Sequence, residues 1–395
     1  MSVSARTADS FPSHLLNRDL ALIFASNFFG SFGDGLYSYL LPVYMTRTLG
    51  TSSTEIGILY AIVNLFGAST LLLGGILADR YDPKKVMAVG WALWVPAPIL
   101  FALARTWPEM ILGMVFWGFW LGGPPTTSYV VRAADKNRLT LSFATLSTGW
   151  ALGYVFSPAI GGYLASTVGM RVVFLLASTL YASAGIVLLF ITSQRPADRV
   201  QIHSEQERSI FELLREGKVL RLSILFALIM FNLMMFRPFI SRFLADIYSY
   251  SEVEIGVLGS VLFFGAAFLG ILLGRIGDRW RTRHALATAL VFCSLSLALL
   301  LVSGDFCILA IALFLAGCSY TMWSLMNAII GPLAPEFSRA RWASIPQAIG
   351  MFSSTIAPFI GGVLYDVSPR YPFTIAIATM LVLSLLVATK IFDKA

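Results

Sequence analysis

Long apolar runs alternate with short polar segments along the chain, and most of these runs have the length of a membrane span. An α-helix needs about 20 apolar residues to cross a hydrocarbon core of about 30 Å. We therefore predict an all-α membrane protein with twelve transmembrane helices, at residues 20–45, 55–78, 86–105, 108–132, 141–166, 170–192, 219–247, 254–276, 284–303, 306–333, 342–365 and 371–391.

A polar, charged segment interrupts this pattern at the middle of the chain. It predicts three parts: an N-terminal bundle of six helices at 1–192, a cytoplasmic linker at 193–218 and a C-terminal bundle of six helices at 219–395. The two bundles also repeat each other. Matching residues lie 199 or 200 positions apart, namely Glu55-Ile56-Gly57 with Glu254-Ile255-Gly256, Gly75 with Gly274, Asp79 with Asp278, Arg80 with Arg279, and 158–162 with 358–362. Such repeats are typical of alternating-access carriers, and a duplicated channel or membrane enzyme is the alternative.

The composition and the charge distribution agree with a chain surrounded by the lipid bilayer. Of the 395 residues, 57% are hydrophobic and 12% are charged, whereas a soluble protein carries about 25% charged residues. If both termini lie on one side, that side holds 22 of the 28 Lys and Arg residues; the others are Arg47, Arg105, Arg171, Arg237, Arg242 and Arg370. Lys and Arg are enriched in cytoplasmic segments. We therefore predict cytoplasmic termini, a location in the cell inner (cytoplasmic) membrane and no binding of nucleic acid.

The loop between the second and third predicted helices carries a motif, GGILADRYDPKK at 74–85, and its copy at 274–281 reads GRIGDRWR. This motif resembles the signature loop of the major facilitator superfamily, and the resemblance covers nearly the whole chain. In that family the loop cluster closes the cytoplasmic side while the cavity faces out. The resemblance therefore implies a cytoplasmic gate, formed by Gly75, Asp79, Arg80, Gly274, Asp278 and Arg279. A plain solvated turn is the alternative.

The fifth predicted helix contains Gly149, Gly153, Pro158, Gly161 and Gly162. This pattern resembles the glycine–proline motif of drug–proton antiporters in the superfamily. Because small residues four positions apart also allow close helix contact, ordinary packing is an equal interpretation. The fourth helix departs from the antiporter pattern, since alignment on Gly118 places Met114 where those proteins carry an arginine.

Asp34 is an acidic residue placed deep in an apolar helix. It lies about fifteen residues into the first span, or about 22 Å at a rise of 1.5 Å per residue. An ionised Asp near the middle of a bilayer costs about 2.5–3.5 kcal/mol, so the side chain should face a cavity or a partner. We predict that Asp34 carries the coupled proton, with Asn27 on nearly the same helix face. A buried carboxyl that only packs helices together is the alternative.

Arg237 of the seventh predicted helix is the basic counterpart of Asp34. An offset of 199 residues relates it to Ser38, one helical turn from Asp34, so the two charges have similar depth. We predict that they pair across the cavity, and the alternative is an arginine that reaches to the outer interface. Arg242 and Asp246, four residues apart, are predicted to pair with each other.

Two predicted helices present aromatic stripes: Tyr320, Trp323 and Asn327 in the tenth, and Trp117, Trp120 and Tyr129 in the fourth. Aromatic side chains with a few polar groups are typical of small-molecule sites, although aromatic packing and interfacial belts are the commoner explanation of such stripes. The predicted substrate cavity comprises Asn27, Asp34, Tyr37, Arg237, Tyr320, Trp323 and Asn327.

The sequence contains neither a Walker loop nor the metalloprotease and serine-hydrolase motifs. Cys293, Cys307 and Cys318 lack metal-ligand spacing, so we expect no catalytic site, no metal and no cofactor. The predicted function is proton-coupled export of a small organic solute by alternating access, carried out by a monomer. Two alternatives stay open: a proton symporter that imports a polar or anionic metabolite, and a membrane sensor that does not transport.

Overall fold

The computed structural model describes residues 17–135, 139–194, 217–333 and 339–389. Most of the predicted linker lies outside these residues. The described residues are helical and form twelve consecutive segments: α1 (Arg18–Tyr37 and Leu41–Leu49), α2 (Ser53–Arg80), α3 (Pro83–Trp94 and Pro96–Leu103), α4 (Met110–Gly118 and Gly123–Ala133), α5 (Leu139–Val168), α6 (Met170–Leu188), α7 (Gly217–Phe236 and Ile240–Ile247), α8 (Glu252–Arg279), α9 (Thr282–Val302), α10 (Phe306–Ala316 and Met322–Leu333), α11 (Arg339–Val367) and α12 (Tyr371–Ala388).

These segments confirm the predicted fold class, with α1–α6 and α7–α12 as the two six-helix halves. Eight helical stretches among the described residues are long and apolar enough to cross a membrane. A helix can cross the bilayer because its backbone N–H and C=O groups bond to each other within the helix. Its side chains then face lipid in place of water, so an apolar outer surface is expected. The chain is therefore a multi-pass membrane protein.

Five of the described helices are interrupted, and the interruptions of α1, α4, α7 and α10 follow the repeat, whereas that of α3 at Val95 has no counterpart in α9. α1 breaks after Tyr37 and α7 breaks at Arg237–Phe239, while α4 breaks after Gly118 and α10 at Gly317–Tyr320. A proline explains the break in α7, because the ring removes a donor and clashes with the preceding turn. At the break in α4, a backbone N–H that has no helical partner donates a hydrogen bond to a side chain. The backbone N–H of Trp120 donates to the Thr70 hydroxyl at 2.9 Å.

Both halves start their second helix in the same way. The Ser52 hydroxyl accepts from the backbone N–H of Glu55 while the Glu55 carboxylate accepts from the N–H of Ser52, and Ser251 and Glu254 repeat this exchange. The reciprocal bonds form a capping box, which satisfies donors left open at a helix start. The repeated Glu in the Glu-Ile-Gly motif is therefore a cap.

Hydrogen bonds join the two halves at one end of the bundle, where α1 meets α2 and α7 meets α8; we call it the closed end. Asp366 of α11 accepts from the N–H groups of Ser53 and Thr54 at 2.9 and 2.8 Å and from the Thr54 hydroxyl at 2.7 Å. Arg47 donates to the carbonyl of Tyr250 at 3.0 Å. A carboxylate at a helix N-terminus is favourable, so Asp366 ties α11 to the start of α2.

The predicted Arg242–Asp246 pair also lies at the closed end and is confirmed, with Arg242 Nε 3.0 Å from Asp246 Oδ2. Arg242 further donates to the carbonyl of Thr51 in the other half at 3.4 Å. The hydroxyl of Tyr365 donates to Asp246 at 3.2 Å. The pair therefore belongs to the contact between halves.

Candidate functional site

The carboxyl group of Asp34 is buried among three hydrogen-bond donors from the N-terminal half. Oδ1 accepts from the Trp117 indole N–H at 2.7 Å and from the Tyr181 hydroxyl at 2.6 Å. Oδ2 accepts from the Tyr154 hydroxyl at 2.6 Å. Within the described residues Asp34 forms no ion pair. The acid is thus held by neutral donors from α4, α5 and α6.

Small residues in α1 bring these donors close. Gly35 packs where a Cβ would collide with Ser157 of α5, and Gly33 packs against Leu180 of α6. Gly153 of α5 meets Ser31 in the same way. Helices approach closely where side chains are absent, and at that distance the phenol groups of α5 and α6 reach the carboxyl.

Tyr37 corrects one prediction. It is fully buried, and it is not among the residues that line the cavity next to Asn27. Its hydroxyl lies 3.0 Å from that of Tyr181, and its ring packs against Phe101 and Phe174 with centroids 6.0 and 5.5 Å away. Tyr37 therefore contacts the Tyr181 hydroxyl that donates to Asp34.

Arg237 corrects a second prediction, because it does not pair with Asp34 in the structure. Its guanidinium carbon lies 3.6 Å from the centroid of the Tyr320 ring. Nε and Nη2 are buried and make no hydrogen bond among the described residues. The three neutral donors occupy both oxygens of Asp34, and the aromatic face of Tyr320 takes the place of an anion for the guanidinium.

The acid and the arginine are instead connected through aromatic rings. Tyr154 stacks on Phe263 of α8 with centroids 4.7 Å apart, and Phe263 contacts Tyr320 at 5.1 Å. Tyr154 holds Asp34 and Tyr320 lies under Arg237. This set of residues, which we call the aromatic bridge, crosses from the N-terminal half to the C-terminal half.

The remaining predicted cavity residues are dispersed. Asn27 lines a cavity within the N-terminal half. Trp323 is half-buried and packs edge-to-face on Phe226 with centroids 4.9 Å apart. Asn327 accepts from the Gln347 amide at 2.7 Å. The structure does not gather these three side chains around Asp34.

The glycine–proline residues of α5 act as close contacts. A Cβ at Gly161 would collide with the carbonyl of Leu36 in α1, and one at Gly162 with the carbonyl of Glu252 in α8. Gly149 packs on Phe24. The glycines of this motif therefore allow close helix contact both inside the N-terminal half and between the two halves. A Cβ at Gly256 of α8 would collide with the carbonyl of Pro158, so the motif also shapes the contact with α8.

The predicted cytoplasmic gate lies at the end opposite the closed end. The surroundings of Gly75 and the side chain of Asp79 lie outside what the structure describes. Arg80, Asp278 and Arg279 are exposed, and a Cβ added to Gly274 would meet nothing within 4 Å in the part of the chain that the structure describes. The described gate residues are therefore open in this state. A carboxylate in this loop does cap a helix, but it is Asp82, which accepts from the N–H of Lys84 at 3.0 Å.

Sequence reasoning missed Tyr154, Tyr181 and Phe263. Tyr154 directly follows Gly153, which packs beside Ser31 on α1, one helical turn before Asp34. The glycine motif therefore contained a signal for Tyr154. The sequence offers no comparable signal for Tyr181, because its position depends on how α6 packs on α1.

The family of this chain is shown by one family profile that matches it twice, once in each half. The profile of the Major Facilitator Superfamily matches residues 23–231 and again 222–395. The chain belongs to this superfamily. As a member, it is a membrane transporter of small molecules and not an enzyme.

Relatives of this superfamily member agree over nearly the full length. Quinolone resistance protein NorA of Staphylococcus aureus (strain COL) is 23% identical over 373 residues, which cover 93% of this chain and 95% of that protein. Multidrug resistance protein 2 of Bacillus subtilis (strain 168) is 22% identical over 381 residues, which cover 92% and 93%. Both place the chain near the drug-resistance group of the superfamily.

Solved structures share the superfamily fold. The nucleoside transporter NupG superposes with a TM-score of 0.79 at 16% identity, covering 96% of this chain and 100% of that one. A bacterial homolog of the human lysosomal transporter Spinster, in an inward-facing and occupied conformation, gives a TM-score of 0.73 at 15% identity over 93% and 94%. At this identity the likeness concerns the fold alone.

Proposed function

We propose that this protein is a proton-coupled secondary transporter that exports a small organic solute by alternating access, with Asp34 as the proton site. The observation that carries the proposal is a buried carboxyl bound by the hydroxyls of Tyr154 and Tyr181. A phenol hydroxyl can donate to a carboxylate and can also rotate to accept from a protonated acid, whereas Lys and Arg only donate. The site can therefore hold Asp34 in both protonation states.

Export of an organic solute is supported by the relatives, which are named for resistance to quinolones and to multiple drugs. Alternating access is supported by the closed end and by the exposed gate residues opposite to it. With both termini in the cytoplasm, as the distribution of Lys and Arg predicts, the closed end faces outward. The described state is then open to the cytoplasm. The transporter acts as a monomer in the inner membrane.

The aromatic bridge supplies a physical route for coupling. Protonation of Asp34 changes whether Tyr154 donates or accepts, and Tyr154 stacks on Phe263 in the other half. Transport driven by a proton gradient requires that the protonated and the ionised form of one site favour different arrangements of the two halves.

The test is transport in proteoliposomes that carry Asp34→Asn, with quinolones and planar organic cations as probes and an imposed pH gradient as the driving force. We expect gradient-driven accumulation to be lost while equilibrium binding of a transported probe stays measurable. Asp34→Glu, which keeps a titratable group, should retain part of the coupling. Coupling at the wild-type level in Asp34→Asn would overturn the proposal.

Arg237 favours a second candidate, a proton symporter that imports an anionic metabolite. The guanidinium lies on Tyr320 and no carboxylate pairs with it among the described residues, so a substrate anion would complete the site. In both candidates protons move inward; the two differ in the direction of the solute, which leaves the cell in exchange for protons in the first and enters together with them in the second. A probe that enters together with protons, and whose uptake Arg237→Gln removes, would favour import.

A further inference from the structure

A groove lies in the C-terminal half at the end that holds the predicted cytoplasmic gate, between the end of α8, the start of α9 and the end of α12. We call it the α9–α12 groove. Its lining residues on the two packed helices recur at intervals of three and four, so each helix presents one face to it. These residues include His284, Ala287, Thr288 and Val291 on α9, and Ser384 and Ala388 on α12. Because several of these side chains are small, a space of about 610 Å³ stays open between the helices.

The α9–α12 groove is polar at one end and apolar along its length. Arg279 and Trp280, where α8 ends, and His284, where α9 begins, form the polar end. Val291 follows His284 by seven residues on α9, or about 10 Å at 1.5 Å per residue, and Leu385 of α12 lines the same groove. These two apolar side chains are 43% and 68% exposed. In a membrane-spanning chain, the groove therefore runs from the edge of the bilayer towards the hydrocarbon.

The polar end of the groove is basic. Arg279 is exposed and forms no ion pair within the described residues. Asp278 precedes it in the chain but does not line the groove, and no other acidic residue lines it in the part of the chain that the structure describes. Trp280 is 66% exposed, and tryptophan is enriched where a bilayer meets water. An anion at this end would thus meet a guanidinium, together with indole and imidazole groups that can donate hydrogen bonds.

We propose that the α9–α12 groove binds one molecule of an anionic phospholipid, with its phosphate at Arg279 and Trp280 and an acyl chain along Val291 and Leu385. Basic pockets between transmembrane helices bind the head groups of anionic lipids. The volume equals that of about twenty liquid waters at about 30 Å³ each, far more than a phosphate ion fills. A soluble phosphate ester would leave the exposed apolar walls uncovered, whereas a lipid covers both parts of the groove. The predicted orientation places this lipid in the cytoplasmic leaflet, and its binding does not depend on the proposed transport.

Native mass spectrometry of the purified, delipidated full-length protein tests the polar end. The probe is palmitoyl-oleoyl phosphatidylglycerol, and phosphatidylcholine with the same acyl chains is its analogue without net charge. We expect phosphatidylglycerol to bind about five-fold tighter or more, which is the effect of one Lys or Arg beside an anionic membrane surface. Arg279→Gln should remove this preference, and Arg279→Lys should keep most of it. Arg80→Gln is the matched control and should bind as the wild type does, because Arg80 is exposed at the equivalent position of the first-half motif and does not line the groove.

Ala388→Phe tests the apolar part of the groove. The larger side chain takes up space between α9 and α12, so it should weaken the binding of both lipids by the same factor. We expect about ten-fold, which corresponds to two methylene groups that lose their apolar contact. Thermal melting without added lipid identifies the variants that fold, and the exposed Arg279 can be replaced without a change in packing.

Equal affinities for the two lipids would overturn the proposal, as would the same loss in Arg279→Gln and Arg80→Gln or unchanged lipid binding in folded Ala388→Phe. Glycerol phosphate that displaces phosphatidylglycerol at equal concentration would show a site for a soluble phosphate ester and would also overturn it. The proposed transport function is tested separately, because none of these variants alters Asp34 or the three side chains that donate to it.

Discussion

The ring of Tyr154 lies face to face with the ring of Phe263, with centroids 4.7 Å apart and an interplanar angle of 27°. One ring belongs to α5 and the other to α8, so this contact spans the two halves. Tyr154 also donates to Asp34 at 2.6 Å. Any rocking of the halves that separates the rings frees Tyr154 to turn, and the hydrogen bonding of the buried acid then changes with it.

Phe263→Leu should therefore lower gradient-driven transport while leaving the fold intact. An aromatic pair contributes about 0.5–1.5 kcal/mol beyond its buried area, which corresponds to about a two- to ten-fold change in rate or population. Initial rates in proteoliposomes measure the effect. Phe264→Leu is the matched control, since Phe264 is 52% exposed and contacts Phe268 and Phe314 of its own half. Equal rates for the two variants would show that the bridge does not take part.

Most of the fold could be predicted from the sequence, because a membrane span is set by apolar length alone. The tenth predicted span, 306–333, coincides with α10 (Phe306–Leu333), and α7 begins two residues before its predicted start at 219. The helix breaks were not predicted, since apolar runs continue through them. Pro238 and the Gly122-Gly123-Pro124-Pro125 run were the available signals.

The site was predicted less completely. Asp34 stands out as an acid in an apolar run, whereas Tyr154 and Tyr181 look like any aromatic residue of a membrane helix. The Asp34–Arg237 pair was wrong because the repeat offset gives depth in the membrane but not rotation about the helix axis. The side chains of α1 and α7 meet aromatic partners at that depth before they meet each other.

Asp366→Asn should loosen the closed end. The substitution removes the charge and at least one of the three hydrogen bonds to Ser53 and Thr54. Loss of a helix cap costs about 0.5–2 kcal/mol, so the ratio of closed to open forms should fall about two- to thirty-fold.

Spin labels at Leu103 and Val302, which are 68% and 85% exposed near the closed end of α3 and α9, report the change as a longer distance. Glu109→Gln is the matched control. Glu109 accepts from the N–H of Arg105 and the hydroxyl of Thr106 within one loop, so its loss should leave the distance unchanged. The same distances in both variants would exclude Asp366 from the closure.

Gly161→Ala should destabilise the protein because the new Cβ would meet the carbonyl of Leu36. Overpacking of this kind costs about 1–3 kcal/mol. Gly274→Ala has open space around it and removes a flexible residue from a helix, so it should be neutral or stabilising by up to about 1 kcal/mol. Thermal melting in one detergent compares them. A melting temperature of Gly161→Ala equal to that of the wild type would contradict the close packing of α1 and α5.

Labelling with an impermeant thiol reagent tests the orientation. Cys307 is exposed near the closed end, whereas Cys293 and Cys318 are buried. In spheroplasts Cys307 should react from outside, because the distribution of Lys and Arg places the closed end there. His203→Cys in a chain with Cys307→Ser should react only after lysis. Labelling of residue 203 from outside would reverse the topology, and the described state would then be open to the outside.

We expect the predicted cytoplasmic gate to form in the other state of the transport cycle, in which the gate end of the bundle is closed. If that end closes through approach of the two motif loops, a larger side chain at Gly274 obstructs closure although it has room now. Gly274→Val should therefore raise the population of the described state, and Asp79→Ala should act in the same direction by removing a cap or a charge pair. A shift of about two- to thirty-fold corresponds to the 0.5–2 kcal/mol of a lost cap.

Labels at Tyr81 and Trp280, which are 57% and 66% exposed where α2 and α8 end, measure the distance across this end of the bundle. Gly217→Val is the control for a bulky residue at the same end of the bundle, because among the described residues only the far end of Arg221 lies within 4 Å of a Cβ added there. Identical distance distributions in Gly274→Val and the wild type, under conditions that populate both states, would show that this end closes through other contacts.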